Sequence, residues 1–249
     1  MGLINAIFNK LSLSPVSAIQ PWDDLSANVV IITGASHGLG KAIAQQLYRH
    51  GASLVLISRH LSDLDRLYGK LDNSKVLLIE ADVSIPSAAA MIVKRAITRF
   101  GKVDVLINNV GVFVEIPFAK ITPSQVDNFF RTNFYSAFFM SQAVLPYMKE
   151  SHNGLIINIG SKISNHPKTT PHKVLYASTK YALEGFSRTL SREVQPDGIR
   201  VTCLMPGTME TYLTSNIRDA MDPKDVADFI SSLIRLKRID FESTVFKSI

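Results

Sequence analysis

Two side chains of the sequence, Tyr176 and Lys180, have the types and the spacing of a proton-transfer pair. They lie four residues apart, so a helix would place both on one face. A free tyrosine has a pKa of about 10 and is a poor acid or base at neutral pH. A nearby ammonium group favours the phenolate and brings the pKa of the tyrosine toward a useful range. The pair could therefore transfer a proton at a substrate oxygen.

A glycine-rich stretch, Thr33-Gly34-Ala35-Ser36-His37-Gly38-Leu39-Gly40, suggests a second kind of chemistry. Glycine permits the positive φ of a tight turn, and its missing side chain lets a phosphate approach the backbone. A helical pattern begins at Lys41, and a helix N-terminus offers free N–H groups and a positive dipole end. Placed between the first strand and the first helix, the stretch predicts a dinucleotide site. A tight structural turn is the alternative reading.

A nucleotide-triphosphate loop is the obvious rival for this stretch, because Gly40-Lys41 looks similar. Its spacing excludes it: six residues separate Gly34 from Lys41 where that loop requires five. Ala42 also replaces the Ser or Thr that would bind magnesium.

The second strand-like run ends at Ser58-Arg59, where an acidic residue would bind the adenosine ribose and repel a 2′-phosphate. No acidic residue is present there. Arg59 could instead pair with a 2′-phosphate as a bidentate, permanently charged donor, with His37 assisting from the glycine loop. The sequence thus predicts NADP(H) rather than NAD(H). A solvated surface arginine is the alternative for Arg59.

The elements that must position these residues alternate regularly from about residue 27 onward. Strand-like runs are continuously apolar, as expected for strands that are buried on both faces, and helical patterns separate them. Such alternation predicts an α/β fold, a three-layer, doubly wound (Rossmann-like) parallel sheet of about seven strands with helices on both faces. The runs are Val29–Ile32, Leu54–Ile57, Val76–Ile79, Val105–Ile107, Leu155–Ile157, Val201–Leu204 and a weaker one near Thr244–Phe246.

The first 25 residues stand outside this alternation, so we expect an N-terminal extension (1–25) and a single domain (26–249). Apolar residues of the extension share one helical face: Leu3, Ile4, Ile7, Phe8 and Leu11. A short helix packed on its own domain or on a subunit neighbour is the expectation. Membrane attachment through residues 1–12 is disfavoured, because Lys10 is the only cation there.

Composition excludes several classes of protein. The 249 residues carry a formal charge of +6, with 46% hydrophobic and 19% charged residues, which is an ordinary globular balance. Lys and Arg are scattered, which argues against nucleic-acid binding. The single cysteine, Cys203, excludes an intrachain disulfide and indicates a reducing compartment. Without a long apolar stretch or a secretory signal pattern, we expect a cytoplasmic protein.

The sequence resembles the short-chain dehydrogenase/reductase family over about residues 27–236, through a series of short motifs. Each motif is weak alone, but all of them occur in the family's order. The matching positions are the TGxxxGxG loop at Thr33–Gly40, the pair Asp82-Val83, the NNAG-like Asn108-Asn109-Val110-Gly111, Asn133, Ser161, Tyr176 with Lys180, and the PGxxxT stretch Pro206–Thr211.

The resemblance implies a role for each of four catalytic residues. Tyr176 would exchange a proton with the substrate oxygen, and Ser161 would hydrogen-bond the same oxygen. Lys180 would lower the pKa of Tyr176 and contact the nicotinamide ribose, and Asn133 would hold a water that links Lys180 to solvent. No metal is implied. The implied cofactor-binding set is Gly34, Ser36, His37, Gly38, Leu39, Gly40, Ser58, Arg59, Asp82, Val83, Asn109, Gly111, Tyr176, Lys180, Pro206, Gly207, Thr208 and Thr211.

The predicted function is that of an NADP(H)-dependent oxidoreductase that interconverts a ketone or aldehyde and an alcohol. A 3-oxoacyl-thioester reductase and a non-catalytic NADP(H)-binding regulator or scaffold remain as alternatives. The C-terminus lacks the glycine-rich ending common in the thioester reductases, which favours the first reading. An aromatic stripe between Phe129 and Phe139 predicts a homodimer or homotetramer, since the family pairs subunits through this helix.

The loop between Ser161 and Tyr176 departs from the usual pattern of the family. The gap is slightly longer than usual, so Ser164 is an alternative to Ser161. The loop is also basic and contains no acidic residue, which suggests either an anionic substrate or simply a solvated loop. Its basic residues are Lys162, His166, Lys168, His172 and Lys173.

Overall fold

The computed structural model of the chain describes residues 24–165, 171–209, 220–236 and 243–245. Its described strands form one parallel sheet of seven, in the order β3-β2-β1-β4-β5-β6-β7. This confirms the predicted doubly wound, Rossmann-like α/β fold. The strands are β1 (Val29–Thr33), β2 (Ser53–Ser58), β3 (Val76–Glu80), β4 (Val105–Asn108), β5 (Gly154–Ile159), β6 (Ile199–Met205) and β7 (Ser243–Val245).

Helices cover both faces of the sheet. Buried residues of α1, α2 and α7 form one core with the sheet, and those of α3, α5 and α6 form the other. The helices are α1 (Gly38–Arg49), α2 (Leu61–Tyr68), α3 (Pro86–Phe100), α4 (Pro123–Phe130), α5 (Ser136–Glu150), α6 (Val174–Val194) and α7 (Pro223–Arg235). A π-helical segment, Arg131–Tyr135, joins α4 to α5.

Side-chain alternation along β1 explains why the sheet needs two cores. All five residues of β1 are buried. Val30 and Ile32 pack with Ile43 of α1 on one face, whereas Ile31 packs with Ile92 of α3 on the other. A strand with two buried faces must be apolar throughout, which is the pattern that the sequence shows.

The order of the strands changes direction between β1 and β4, which are hydrogen-bonded neighbours with Ile32 opposite Ile107. The crevice at the carboxyl ends of such neighbouring strands is where doubly wound sheets bind ligands. The loops that follow β1, β4, β5 and β6 all open at this edge. They carry most of the residues that the sequence analysis selected.

Some sequence-based predictions fall outside the described residues. The predicted N-terminal extension, including its short helix, does so except for residues 24 and 25, and so do His166, Lys168 and Thr211. Of the helices that the structure describes, none has both the length and the apolar character needed to cross a membrane.

Candidate active site

The glycine loop packs α1 directly against the ends of β1 and β4. Gly34 and Gly38 have φ values of 66° and 50°, in the left-handed region that favours glycine. A Cβ atom on Gly40 would overlap the carbonyl oxygen of Gly34 and would lie 2.5 Å from Nδ2 of Asn109. The loop therefore needs these glycines for its turn and for its close helix contact.

Thr33 and Asn109 fasten this loop to β4. The backbone N–H of Asn109 donates to Oγ1 of Thr33 at 3.0 Å, and that of Val110 donates to the same oxygen at 3.2 Å. Nδ2 of Asn109 donates to the carbonyl oxygens of Thr33 (3.1 Å) and Gly34 (3.2 Å). Asn109 was predicted to bind cofactor, and the structure shows it shaping the loop. The sequence analysis missed the part played by the Thr33 hydroxyl, although a polar residue ending an apolar strand was its signal.

The N-terminus of α1 has the features of an anion site. His37, the N-cap, makes no side-chain capping bond, and the first turn contains no acidic residue. The N–H groups of the first turn are therefore available to an anion. Oγ of Ser36 lies 2.8 Å from Nδ1 of His37 and 3.2 Å from Oγ of Ser58. Arg59 follows Ser58, is exposed, and has no ion pair with any described residue.

The turn after β3 contains the predicted pair Asp82-Val83. Oδ1 of Asp82 accepts hydrogen bonds from the backbone N–H and the hydroxyl of Ser84, at 2.9 and 2.7 Å. Val83 is buried. The carboxylate of Asp82 thus stabilises its own turn, and the turn stands beside β2 at the same edge of the sheet.

Tyr176 and Lys180 lie one turn apart on α6, as their spacing predicts. Nζ of Lys180 is buried, donates to the carbonyl oxygen of Ile159 at 2.8 Å, and lies 5.8 Å from the centroid of the Tyr176 ring. Burial lowers the pKa of Lys180 to about 8. Burial raises the pKa of Tyr176, an effect that its hydrogen bond with Ser161 partly offsets. The direction for Tyr176 is opposite to the expected lowering by Lys180, because burial disfavours the charged phenolate and outweighs the other contributions to the pKa.

The structure brings Ser161, and not Ser164, to Tyr176. The Ser161 side chain stands where it lowers the pKa of Tyr176, and its oxygen accepts from the backbone N–H of Ile163 at 3.3 Å. Ser164 is buried, donates to the carbonyl oxygen of Ser161 at 2.9 Å, and lies 3.4 Å from Sδ of Met205. The hydroxyl of Ser164 is therefore occupied inside the protein.

Asn133 lies in the π-helical segment, with its side chain fully engaged. Its Oδ1 accepts from the N–H of Val112 at 2.7 Å, and its Nδ2 donates to the Val112 carbonyl (3.1 Å) and to Oγ1 of Thr179 (3.0 Å). The Thr179 hydroxyl in turn donates to the Tyr176 carbonyl at 2.8 Å. Asn133 is thus connected to the helix of Tyr176 through Thr179, a residue that the sequence analysis did not select. Single π-helical turns are frequent at functional sites.

Gly111 lies between these residues and the glycine loop. A Cβ atom on Gly111 would lie 3.4 Å from Oδ1 of Asn133 and 3.5 Å from Nζ of Lys180. The loop after β4 therefore passes directly over the buried ammonium group. Asn109 at the start of this loop contacts the glycine loop, so Lys180 and the N-terminus of α1 both lie beside the loop after β4.

An aromatic ring and an ion pair form the rim beside Tyr176. The Phe113 ring meets the Tyr176 ring edge-on, with centroids 4.9 Å apart and planes at 76°. Nζ of Lys173 lies 5.4 Å from the Phe113 centroid and 3.2 Å from Oε1 of Glu115. The basic loop is thus partly neutralised by an acidic residue from the loop after β4, which the sequence analysis did not consider.

The segment after β6 closes the crevice from the other side. The N–H of Lys162 donates to the carbonyl oxygen of Pro206 at 3.0 Å, which joins this segment to the loop of Ser161. The carbonyl oxygen of Thr208 accepts from the N–H of Met221 at 2.9 Å. Pro206, Gly207 and Thr208 therefore stand at the predicted edge, beside the start of α7.

Residues 28–222 match the sequence profile of the short chain dehydrogenase family. The chain belongs to this family. An uncharacterized oxidoreductase of Staphylococcus saprophyticus is 32% identical to this short-chain dehydrogenase over 215 residues, covering 86% of this chain and 87% of that protein. An uncharacterized oxidoreductase of Staphylococcus aureus is 32% identical over 213 residues, covering 83% and 90%.

Solved structures of the same fold carry nicotinamide cofactors. An alcohol dehydrogenase from the archaeon Thermococcus sibiricus, complexed with 5-hydroxy-NADP, is 28% identical, with a TM-score of 0.81 over 89% of this chain and 97% of that one. A 3-ketoacyl-(acyl-carrier-protein) reductase from Brucella melitensis, complexed with NADH, is 25% identical, with a TM-score of 0.80 over 88% and 95%. This short-chain dehydrogenase is therefore an oxidoreductase of a family that binds nicotinamide cofactors.

The described part of this short-chain dehydrogenase contains no candidate metal site. No group of three or more His, Cys, Asp or Glu residues converges there in a way that could hold a metal ion.

Proposed function

We propose that the protein is an NADP(H)-dependent oxidoreductase that interconverts a ketone or aldehyde and an alcohol. The observation that carries this proposal is the placement of Ser161 where its side chain lowers the pKa of Tyr176, with the buried ammonium of Lys180 one helical turn away. Residues 26–249 would form a single cofactor-binding catalytic domain, and residues 1–25 an extension to it. The experiment that tests the proposal is NADPH-dependent turnover of a panel of ketones and aldehydes.

The residues of the crevice fit NADP(H). The uncapped N-terminus of α1, which has no acidic residue in its first turn, would bind a phosphate, and Arg59 with His37 would pair with the 2′-phosphate. When bound, the cofactor supplies or accepts the hydride. The remaining residues that we propose to hold it are Ser36, Leu39, Ser58, Asp82, Val83, Asn109, Gly111, Tyr176, Lys180, Pro206, Gly207, Thr208 and Thr211.

Residues of the protein would donate the proton to the substrate oxygen and stabilise the charge that develops on it. Burial raises the pKa of Tyr176, so its hydroxyl keeps its proton at neutral pH but is a weaker acid than a free tyrosine. Ser161 would hydrogen-bond the same substrate oxygen and stabilise the negative charge that develops on it. The charged form of Lys180 would stabilise the phenolate that remains after donation.

The water that we assign to Asn133 would be held by its main chain. Both N–H groups of the side chain donate to Val112 and Thr179 and its oxygen accepts from Val112, so the amide has no donor left for a water. The side chain would instead hold the π-helical segment against the helix that carries Tyr176.

A 3-oxoacyl-thioester reductase is the second candidate, supported by the similarity to the Brucella melitensis enzyme. Hydride chemistry would be the same, so only the substrate distinguishes the two. Steady-state turnover of simple ketones and of a 3-oxoacyl thioester, measured side by side with NADPH, separates them. Tight NADPH binding without turnover of any substrate would instead support a non-catalytic binder.

Cofactor preference gives a direct test of Arg59. We expect Arg59→Ala to weaken NADPH binding by about 10- to 100-fold, because a charge-assisted hydrogen bond contributes about 1.5–3 kcal/mol, while NADH binding stays as in the wild type. Fluorescence titration with both cofactors measures this. Arg66→Ala removes the same charge from an exposed arginine on α2 and serves as the control. Equal binding of NADPH and NADH by the wild type would refute the preference.

An aromatic surface supports a homodimer or homotetramer. Phe138 packs against Phe134 and Phe186, yet 37% of Phe138 and 42% of Tyr135 remain exposed. Covering such rings is favourable, so we expect the mass by light scattering to be a multiple of 27.5 kDa. Phe138→Asp should yield monomers, whereas Met91→Asp, at an exposed apolar residue of α3, should not. A monomeric wild type would contradict this proposal.

The expected location is the cytoplasm, and the expected partners are small carbonyl or alcohol substrates. Cys203 is free and buried, and burial raises the pKa of its thiol to about 11, so it stays protonated and protected. A free thiol of this kind suits a reducing compartment. We propose neither membrane attachment through residues 1–12 nor nucleic-acid binding.

A further inference from the structure

The loop after β4 and the start of α6 are joined at the rim of the site. The N–H of Ile116 donates to the carbonyl oxygen of His172 at 2.8 Å. Glu115, which precedes Ile116, forms its ion pair with Lys173, which follows His172. His172 has a φ of 66°, an uncommon conformation for a residue other than glycine. These contacts hold Lys173 at a defined place beside the crevice.

This ion pair stands one aromatic ring away from Tyr176. Lys173 lies over the Phe113 ring, and the edge contact of Phe113 with Tyr176 completes the connection. The Lys173 side chain is 26% exposed and that of Glu115 is 53% exposed. The carboxylate of Glu115 is therefore the more exposed of the two charged groups at this rim.

Three exposed apolar residues lie close to the pair along the chain. Val114 is 52% exposed, Phe118 is 73% exposed, and Val174 at the start of α6 is 48% exposed. Together with Phe113 they offer contact area to the uncharged part of a substrate, and large exposed apolar surface of this kind commonly marks a binding site.

From this arrangement we infer that Glu115 is a specificity-determining residue, which makes the site select uncharged carbonyl compounds with apolar substituents over anionic ones. Glu115 cancels the charge of Lys173 and repels a carboxylate that would otherwise bind to it. The inference rests on the proposed function, because it concerns the substrate of the same site. For Lys173, it favours the reading of the basic loop that does not need an anionic substrate.

The experiment compares an aryl keto acid with its methyl ester, which has the same carbonyl and shape but no charge. In the wild type we expect a higher KM for the acid. In Glu115→Gln, Lys173 is freed, and we expect the ratio of the KM of the acid to that of the ester to fall by about three- to tenfold. The change should shrink at high salt. Glu150→Gln, an exposed carboxylate at the end of α5, changes the net charge equally and should leave the ratio unaltered.

Lys173→Met provides a second, independent measurement. It leaves Glu115 without its partner, so the KM ratio of acid to ester should rise instead of fall, and the Glu115→Gln, Lys173→Met double variant should lie between the two single variants. A KM ratio that stays the same in both single variants would overturn the inference, while ester turnover by the wild type would still support the proposed function. If the wild type reduces neither compound nor any other carbonyl, the proposed function itself fails.

Discussion

Replacing Tyr176 with Phe is expected to lower kcat by about 10²- to 10⁴-fold, the range that general acid–base catalysis contributes. The substitution removes only the hydroxyl that donates the proton. The aromatic ring at position 176 would keep its edge contact with the Phe113 ring, so we expect the fold and NADPH binding to stay nearly unchanged. The measurement is kcat for a ketone that the wild type reduces, together with a fluorescence titration with NADPH.

The matched control for this variant is Tyr181→Phe. Tyr181 is on the same helix, 49% exposed, and outside the proposed catalytic set. Removing the Tyr181 hydroxyl should leave kcat and NADPH affinity as in the wild type. If Tyr176→Phe kept wild-type activity, another group would have to be the proton donor, and the assignment of Ser161, Lys180 and Asn133 around it would fall as well.

The fold and the placement of the site could be predicted because both depend on local patterns. Continuously apolar runs such as Val29–Ile32 are found where both faces of a strand are buried, and this fixed the sheet class in advance. Helical spacing placed Tyr176 and Lys180 together in the same way. The role of Gly40 could be predicted as well, because α1 can approach the end of β1 closely only where a side chain is missing.

The electrostatics could not be predicted, because they depend on contacts between distant parts of the chain. The direction of the pKa shift of Tyr176 depends on how deeply the folded chain buries its hydroxyl, which no local pattern gives. Likewise, Glu115 and Lys173 are far apart in sequence and meet only because the loop after β4 crosses the start of α6. Counting charges within one loop therefore overstated the basic character of the rim.

The second large effect is expected for Gly40→Ala. The new methyl group would overlap the carbonyl oxygen of Gly34 and Nδ2 of Asn109, so either the glycine loop or the end of β4 must move. Overpacking of this kind costs about 1–3 kcal/mol of the free energy of unfolding. Since the same movement displaces the N–H groups that would bind a phosphate, NADPH affinity should fall by more than about tenfold. Thermal unfolding and NADPH titration measure the two effects.

Gly185→Ala separates this packing effect from the general effect of alanine in a helix. Gly185 lies inside α6, and a Cβ atom there would meet no described atom within 4 Å. We expect it to raise the free energy of unfolding by about 0.5–1 kcal/mol, because alanine favours the helix, and to leave NADPH binding unchanged. Position 40 also lies in a helix, so propensity alone would make Gly40→Ala stabilising. A stabilised Gly40→Ala variant with normal NADPH affinity would therefore show that α1 does not need its close contact with Gly34 and Asn109 to form the cofactor site.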